Sequence, residues 1–501
     1  MIGPMEGASA EAVLPSDVDR MDDLTGARRV ALGTAATFLA QGFKALTQIA
    51  GQLALTRLLM PGDFGLIAMV APALAFVQVF ADLGLAQAII QRTEVTQAQL
   101  SSLFWRTFAA SCALCAGIAI AAPAIAWLYR EPRTIPITLS LAVLVLASGL
   151  TMQQSALLVR RLRFSALAVM DGAAPLAGIA AGLAAATMGA GVWSLVIMQV
   201  VQSLTVLVLV WGFSSWRPSR PMIDGSDLEL LRFGSHQAGF NFTQFLTTSA
   251  DNVLIGLVNG KIPLGYYDRS YNLVVRPSVL LTAPLERVAI PILSRLLAQP
   301  TNYRSVFLAL MQAAVFLVVP GLLFGIFFAD PLIELLLGPK WQPIVPIFRW
   351  LSLGAIAAPL YASTAWLFVS QGLVARQLRL GVTVALLNIL SFAIGIFWGP
   401  IGVAICSAIS FAFFQTPLIC WAATGEGPVR RSDFLAGVIP SAAGATAVLI
   451  AGLCIRSSAV TSILGLCLAA GMAYLIFGST AALFPQCRDS VVRAFRLVRL
   501  D

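Results

Sequence analysis

The chain has 501 residues, of which 58% are hydrophobic and only 11% charged, with a net charge of +9 and a mean hydropathy of +0.86. Soluble domains carry about 25% charged residues, so a soluble globular protein is excluded; continuous apolar runs, in place of alternating ten-residue segments, exclude a membrane β-barrel. A single histidine rules out an HExxH zinc site and argues against a His-based triad, and no Walker A motif provides for ATP hydrolysis.

In chain order, residues 1–29 are polar and mixed in charge, with Asp17, Asp19, Asp22 and Asp23. No basic-then-apolar cleavable signal precedes the first apolar run, so that run is expected to stay in the protein. Membrane-spanning helices are predicted at 30–56, 64–90, 103–128, 135–158, 167–188, 191–213, 234–258, 266–297, 305–328, 344–370, 376–398, 400–423, 435–455 and 461–484. The predicted fold is all-α integral membrane, with about 14 transmembrane helices. About twenty of the Lys and Arg fall on one set of faces, about six on the other and six within spans. The positive-inside rule then puts both termini in the cytoplasm; both ends on one side require an even span count, which supports fourteen. The charge is topological and calls for no nucleic-acid partner.

Span one carries a polar face of Thr37, Gln41, Lys44, Gln48 and Gln52, at steps of 3 and 4 that keep one side of a helix. Span seven carries another: Gln237, Asn241, Gln244, Thr248 and Asp251, with Asn252 beside it. A shift of 200 residues lays Gln41 on Asn241, Lys44 on Gln244, Gln48 on Thr248 and Gln52 on Asn252, and Phe64-Gly65 on Leu264-Gly265. Two parallel six-helix lobes with a pseudo-two-fold relation follow, a transporter signature. They are an N-lobe over 30–213 and a C-lobe over 234–423, joined by a cytoplasmic linker at 214–233. Two C-terminal helices follow over 435–484, then a basic tail over 485–501. Isolated Gln and Asn act as interhelical glue, worth about 0.6 kcal/mol each. Five in register over four turns fit a central aqueous cavity better.

Span eight holds Arg269, Arg276 and Arg287. Steps of 7 and 11 return each to within about 20° of the one before, forming one cationic stripe. A charge at bilayer depth costs about 2.5–3.5 kcal/mol on insertion scales. Ion pairs with Asp251, Glu286 or Asp82 would make the stripe structural. Left unpaired, it would hold an anionic group in the cavity, and guanidinium suits bidentate phosphate binding. Arg276 is the deepest. Pro277, Pro284 and Pro291 interrupt the same helix and favour bending. Asp82 and Asp251 are candidates for ion coupling or gating. His236 reads as a satisfied polar residue, and Cys112 and Cys115 as packing residues. The sequon Asn241-Phe242-Thr243 lies inside a span and is discarded. Gly178/Gly182, Gly321/Gly325 and Gly395/Gly399 mark close helix packing.

The run Leu53-Ala-Leu-Thr-Arg-Leu-Leu-Met-Pro-Gly-Asp-Phe-Gly-Leu66, with Phe80-Ala-Asp-Leu-Gly-Leu85 and Ile89-Ile-Gln-Arg92, resembles bacterial polysaccharide flippases of the multidrug/oligosaccharidyl-lipid/polysaccharide exporter superfamily. So do Asp251-Asn-Val-Leu-Ile-Gly256, Leu264-Gly-Tyr-Tyr267, Pro291-Ile-Leu-Ser-Arg295 and Leu337-Gly-Pro-Lys-Trp341 with Pro343 and Pro346. The resemblance covers roughly residues 25–420. It implies an inner-membrane transporter, not an enzyme, moving an undecaprenyl-diphosphate-linked oligosaccharide from the cytoplasmic to the periplasmic leaflet for exopolysaccharide, capsule or O-antigen synthesis. It implies alternating access without a cofactor, coupling to H+ or Na+, contact with membrane lipids, and partnership with a polysaccharide polymerase and chain-length regulator. Asp82, Asp251 and Arg295 fall in family motifs; Arg276 rests on physics alone. A drug/cation antiporter would favour carboxylates over arginines, a peptidoglycan-precursor flippase would need a substrate assay to distinguish, and a polymerase or ligase would show a long outer loop.

Overall fold

A computed structural model describes residues 47–82, 96–161, 163–219, 249–425, 427–454 and 462–485, with side chains at 78–82 and 164 set aside. Every α, 3-10 or π element among them is helical. We number the α-helices α1 (47–58), α2 (Pro61–Asp82), α3 (Gln97–Tyr129), α4 (Thr134–Arg160), α5 (Phe164–Thr187), α6 (Trp193–Phe213), α7 (249–259), α8 (Lys261–Arg295), α9 (Pro300–Phe327), α10 (Ala329–Leu337), α11 (Val345–Ala355), α12 (Ala358–Ser370), α13 (Val374–Gly395), α14 (Gly399–Ile409), α15 (Thr416–Ala423), α16 (Arg431–Cys454) and α17 (Ile463–Ala482). Nine described segments are long and apolar enough to cross a membrane, and the protein is a multi-pass membrane protein. One of them, Val374–Ala423, runs to 50 residues. It supplies two crossings because Gly399, at φ 69°, turns α13 back into α14.

The chain forms two compact units. Unit 1 comprises Met1–Met60 and Met69–Phe245; unit 2 comprises Pro61–Ala68 and Leu246–Asp501. Unit 1 is built on the hairpins α3/α4 and α5/α6. A capping box starts α3: the Thr96 hydroxyl accepts from the Gln99 N–H and the Gln99 side chain accepts from the Thr96 N–H. Gly178 and Gly182 of α5 lie against Met198 and the backbone of α6. That contact is the one their spacing predicted, because small residues let helices approach where lipid gives no hydrophobic drive between them. Beyond α6, Trp216 is buried among Leu100, Phe104 and Leu157 and donates its indole N–H to Gln97 at 2.6 Å.

In unit 2, α8, α9 and α12 surround a core of Leu293, Phe307, Met311, Trp366 and Phe368. The last two helices lean on α9. Phe477 and Val448 pack with Val319 and Leu323, and the Tyr474 hydroxyl donates to the Leu317 carbonyl at 2.8 Å. Two predicted single spans are broken. The run 344–370 divides into α11 and α12 ahead of Pro359, which has no N–H to bond the carbonyl of Ala355, the last residue of α11. The run 400–423 contains a π-helical stretch, Ser410–Gln415, ahead of Pro417. There the buried Gln415 amide bonds both Asn388 and Ser410 at 2.9 Å. The short α10, after α9, extends no predicted span.

Candidate functional site

The arginine stripe lies on α8, whose 35 residues reach about 52 Å at 1.5 Å per residue, well beyond a hydrocarbon core of about 30 Å. One seam of α8 is buried in unit 2: Leu264, Tyr267, Ser270 and Val274, then Ala289 and Leu293. Between these two anchors the helix exposes Arg276, Pro277, Leu280, Pro284, Glu286 and Arg287. Pro277, Pro284 and Pro291 donate no helix hydrogen bond, freeing the carbonyls of Leu273, Leu280 and Arg287. The hydroxyls of Ser278, Thr282 and Ser294 bond other carbonyls, those of Val274, Ser278 and Ile290. The middle of α8 is therefore a weakly held stretch with bare acceptors and two guanidiniums.

The three arginines are not equivalent. The Arg269 guanidinium donates twice to the Asp268 carboxylate, at 3.1 and 2.6 Å. It also stacks over the Phe64 ring at 4.3 Å, and Phe64 in turn packs edge-on against Trp341. Neither Asp268 nor Phe64 was read from sequence as a partner of Arg269. The first is adjacent to Arg269 and could have been; the second lies 205 positions away, and only the 200-residue repeat brings the two turns into one frame. Arg276 and Arg287, by contrast, have no hydrogen-bond or ion-pair partner among the described residues. Eleven residues separate them, about 16 Å along the axis. Another in-span arginine, Arg349 of α11, is bound to Asp330 and to the Ile326 carbonyl.

Asp251 lies on α7, only 5% exposed. Its carboxylate accepts from the Tyr267 hydroxyl at 3.0 Å and from the Asn252 N–H at 2.7 Å. It makes no ion pair with a Lys or Arg among the described residues. Tyr267 is itself buried and stacks on Tyr271. A buried carboxylate held by neutral donors retains lone pairs for a proton or a cation. Gln48 is half-buried on α1. Gln41, Lys44, Asn241 and Gln244 lie outside the described residues, as does the side chain of Asp82, the last residue of α2.

The chain is similar to proteins of known name. The lipopolysaccharide biosynthesis protein WzxC of Escherichia coli K12 is 25% identical over 301 residues, covering 59% of this chain and 61% of that protein. The teichuronic acid biosynthesis protein TuaB of Bacillus subtilis 168 is 25% identical over 299 residues, 59% of this chain and 62% of its own. The aligned stretch thus spans about three fifths of each of these curated relatives. Among solved structures, the lipid II flippase MurJ in an inward closed conformation superimposes with a TM-score of 0.69 at 14% identity, covering 90% of this chain and 98% of that one. That likeness shows the fold, a two-lobe all-α architecture. A family model described as polysaccharide biosynthesis protein matches residues 54–346, and the motifs quoted above, from Ala54 to Pro346, fall inside it. Matched over more than half its length, on an all-helical multi-pass fold, the chain belongs to the polysaccharide biosynthesis protein family.

Proposed function

We propose that the protein is a flippase that moves a polyprenyl-diphosphate-linked oligosaccharide repeat unit from the cytoplasmic to the periplasmic leaflet of the bacterial inner membrane, with both termini cytoplasmic. One observation carries this reading: Arg276 and Arg287 stand on the exposed middle stretch of α8, which also carries Glu286, without a bonded partner among the described residues. Two such charges stay in a membrane helix because a ligand neutralises them. A lipid diphosphate offers planar, multidentate oxygens that match the guanidinium fork. At about 16 Å apart, the two arginines serve different anionic groups of one substrate, or successive stations of the same diphosphate. Arg269, engaged by Asp268 and Phe64, holds the outer part of α8 in place. Lys44, Gln41, Gln48, Asn241 and Gln244 supply polar contacts for the glycan. Membrane lipids surround the protein; a polymerase and a chain-length regulator would receive its product.

The test is a host lacking its own repeat-unit flippase. Arg276→Ala and Arg276→Glu should insert at normal levels and fail to restore surface polysaccharide, and Arg276→Lys should restore part of it. Normal polysaccharide from the Ala and Glu variants would overturn the reading. Asp251 and Asp82 are assigned to coupling with H+ or Na+. Asp251→Asn keeps an acceptor for Tyr267 but removes the charge, so transport by this variant should lose its dependence on the ion gradient. Unchanged dependence would remove Asp251 from the coupling site. A lipid-linked peptidoglycan precursor carries the same diphosphate, and only the identity of the accumulated lipid in the deficient host separates the two cargoes.

A further inference from the structure

In unit 1 the turn from α3 into α4 borders an open groove of about 680 Å³, whose walls include Pro123, Trp127, Leu128, Arg130, Pro132 and Ile135. Its level in the membrane follows from α3 itself. No charged residue lies between Arg106 and Arg130. Their separation of 24 residues is about 36 Å at 1.5 Å per residue, just over the hydrocarbon core of about 30 Å. Arg130 therefore stands at the level of the lipid headgroups. Trp127, one turn before it, is 81% exposed, the placement an indole takes at a membrane–water boundary.

Arg130 is the one non-glycine residue with a positive φ among the described residues, at φ 53° and ψ 34°. Helices that end in this left-handed conformation usually place glycine there, because a Cβ is strained at positive φ. The bonds that close the turn run from the Arg130 backbone N–H to the Ala126 and Trp127 carbonyls, and they need no arginine side chain. The guanidinium makes no hydrogen bond or ion pair among the described residues, since the neighbouring Glu131 is turned to Arg133. A cation here also meets the negative end of the helix dipole; that accounts for the charge but not for the groove beside it. Pro123, Leu128, Pro132 and Ile135 give the groove an apolar floor, and the fixed φ of its two prolines leaves little motion to lose on binding.

We propose that this groove is a binding site for one anionic glycerophospholipid of the surrounding leaflet, with Arg130 on the phosphate, Trp127 beside the glycerol and the apolar floor under the first acyl carbons. One guanidinium without a bonded partner matches the single charge of a phosphodiester, whereas a lipid diphosphate carries more. The site is independent of the cargo assigned to α8. Its test uses the purified full-length protein in neutral detergent with dioctanoyl-phosphatidylglycerol, the adduct carrying one lipid being counted by native mass spectrometry. The wild-type protein should take the first phosphatidylglycerol about tenfold or more tightly than dioctanoyl-phosphatidylcholine, whose choline cancels the charge. Arg130→Gly should weaken that binding about tenfold at an unlowered Tm, because glycine accepts this φ. Arg130→Asn, also tolerated in the left-handed region, should repeat the loss even where glycine loosens the turn. Arg130→Lys should fall between, since the charge remains and the fork is lost. Arg133→Gln, whose side chain is 73% exposed and outside the groove, should stay within about twofold of wild type. Wild-type affinity in Arg130→Gly and Arg130→Asn would overturn the site, and an equal loss in Arg133→Gln would reduce it to the net charge of the turn. Displacement of the lipid by inorganic phosphate would make it a free-anion site, and preferential displacement by a polyprenyl diphosphate would make it a station of the cargo; either result overturns the phospholipid assignment.

Discussion

Seven residues apart on one helix, Arg269 and Arg276 sit in different surroundings. Arg269 is bonded to a carboxylate and covered by an aromatic ring, so its charge is already compensated; a cation–π contact of this kind contributes about 0.5–2 kcal/mol. Arg276 is exposed, with all its donors unspent on the described residues. The two should therefore fail differently. Arg269→Gln is expected to lower the Tm of the purified protein while leaving its affinity for a polyprenyl diphosphate nearly intact. Arg276→Gln should leave the Tm unchanged and weaken that affinity about tenfold or more, since charge-assisted hydrogen bonds are worth about 1.5–3 kcal/mol and 1.4 kcal/mol is tenfold. Equal behaviour of the two variants in both measurements would show that the stripe acts as one unit. The stripe was legible as a periodicity, because 100° per residue needs no structure. The division within it was not, because Phe64 reaches Arg269 only through the paired turns.

Among the described residues, helices were legible wherever an apolar run was long, since a membrane demands internally satisfied backbone. The breaks within them were not. Ile356 and Ala357 are as apolar as their neighbours, and a π-helical stretch changes hydrogen-bond register without changing hydropathy. The glycine pairs were legible in part: Gly178 and Gly182 meet a helix backbone as their spacing implied, and Gly395 lies against Gly402 and Val403 across the turn at Gly399. A side chain at Gly395 would begin 2.6 Å from the Gly402 carbonyl oxygen. Overpacking costs about 1–3 kcal/mol, so Gly395→Leu should reduce the Tm and the yield of folded protein. Gly471, with open space around it, should accept Leu with little change. A tolerant Gly395 would mean that α13 and α14 are less tightly joined than this contact requires.

At the scale of the whole molecule, the repeat was legible as an offset of 200 and returns as the reciprocal pairing of Gly65 with Gly265. The chain divides near residue 245, and the eight residues 61–68 cross that division; no composition shift marks them, since they pack on a counterpart far along the chain. A family match from 54 to 346 takes in both repeated turns and α8. The proposal joins these levels: two arginines on α8 with no bonded partner among the described residues would carry a lipid diphosphate through the membrane. The direct measurement is translocation of a polyprenyl-diphosphate-linked oligosaccharide in proteoliposomes, scored by access of an added glycosidase to the glycan. Wild-type protein should expose the glycan on the far leaflet, and Arg276→Ala/Arg287→Ala, reconstituted to the same density, should not. Translocation by that double variant at the wild-type rate would contradict the claim.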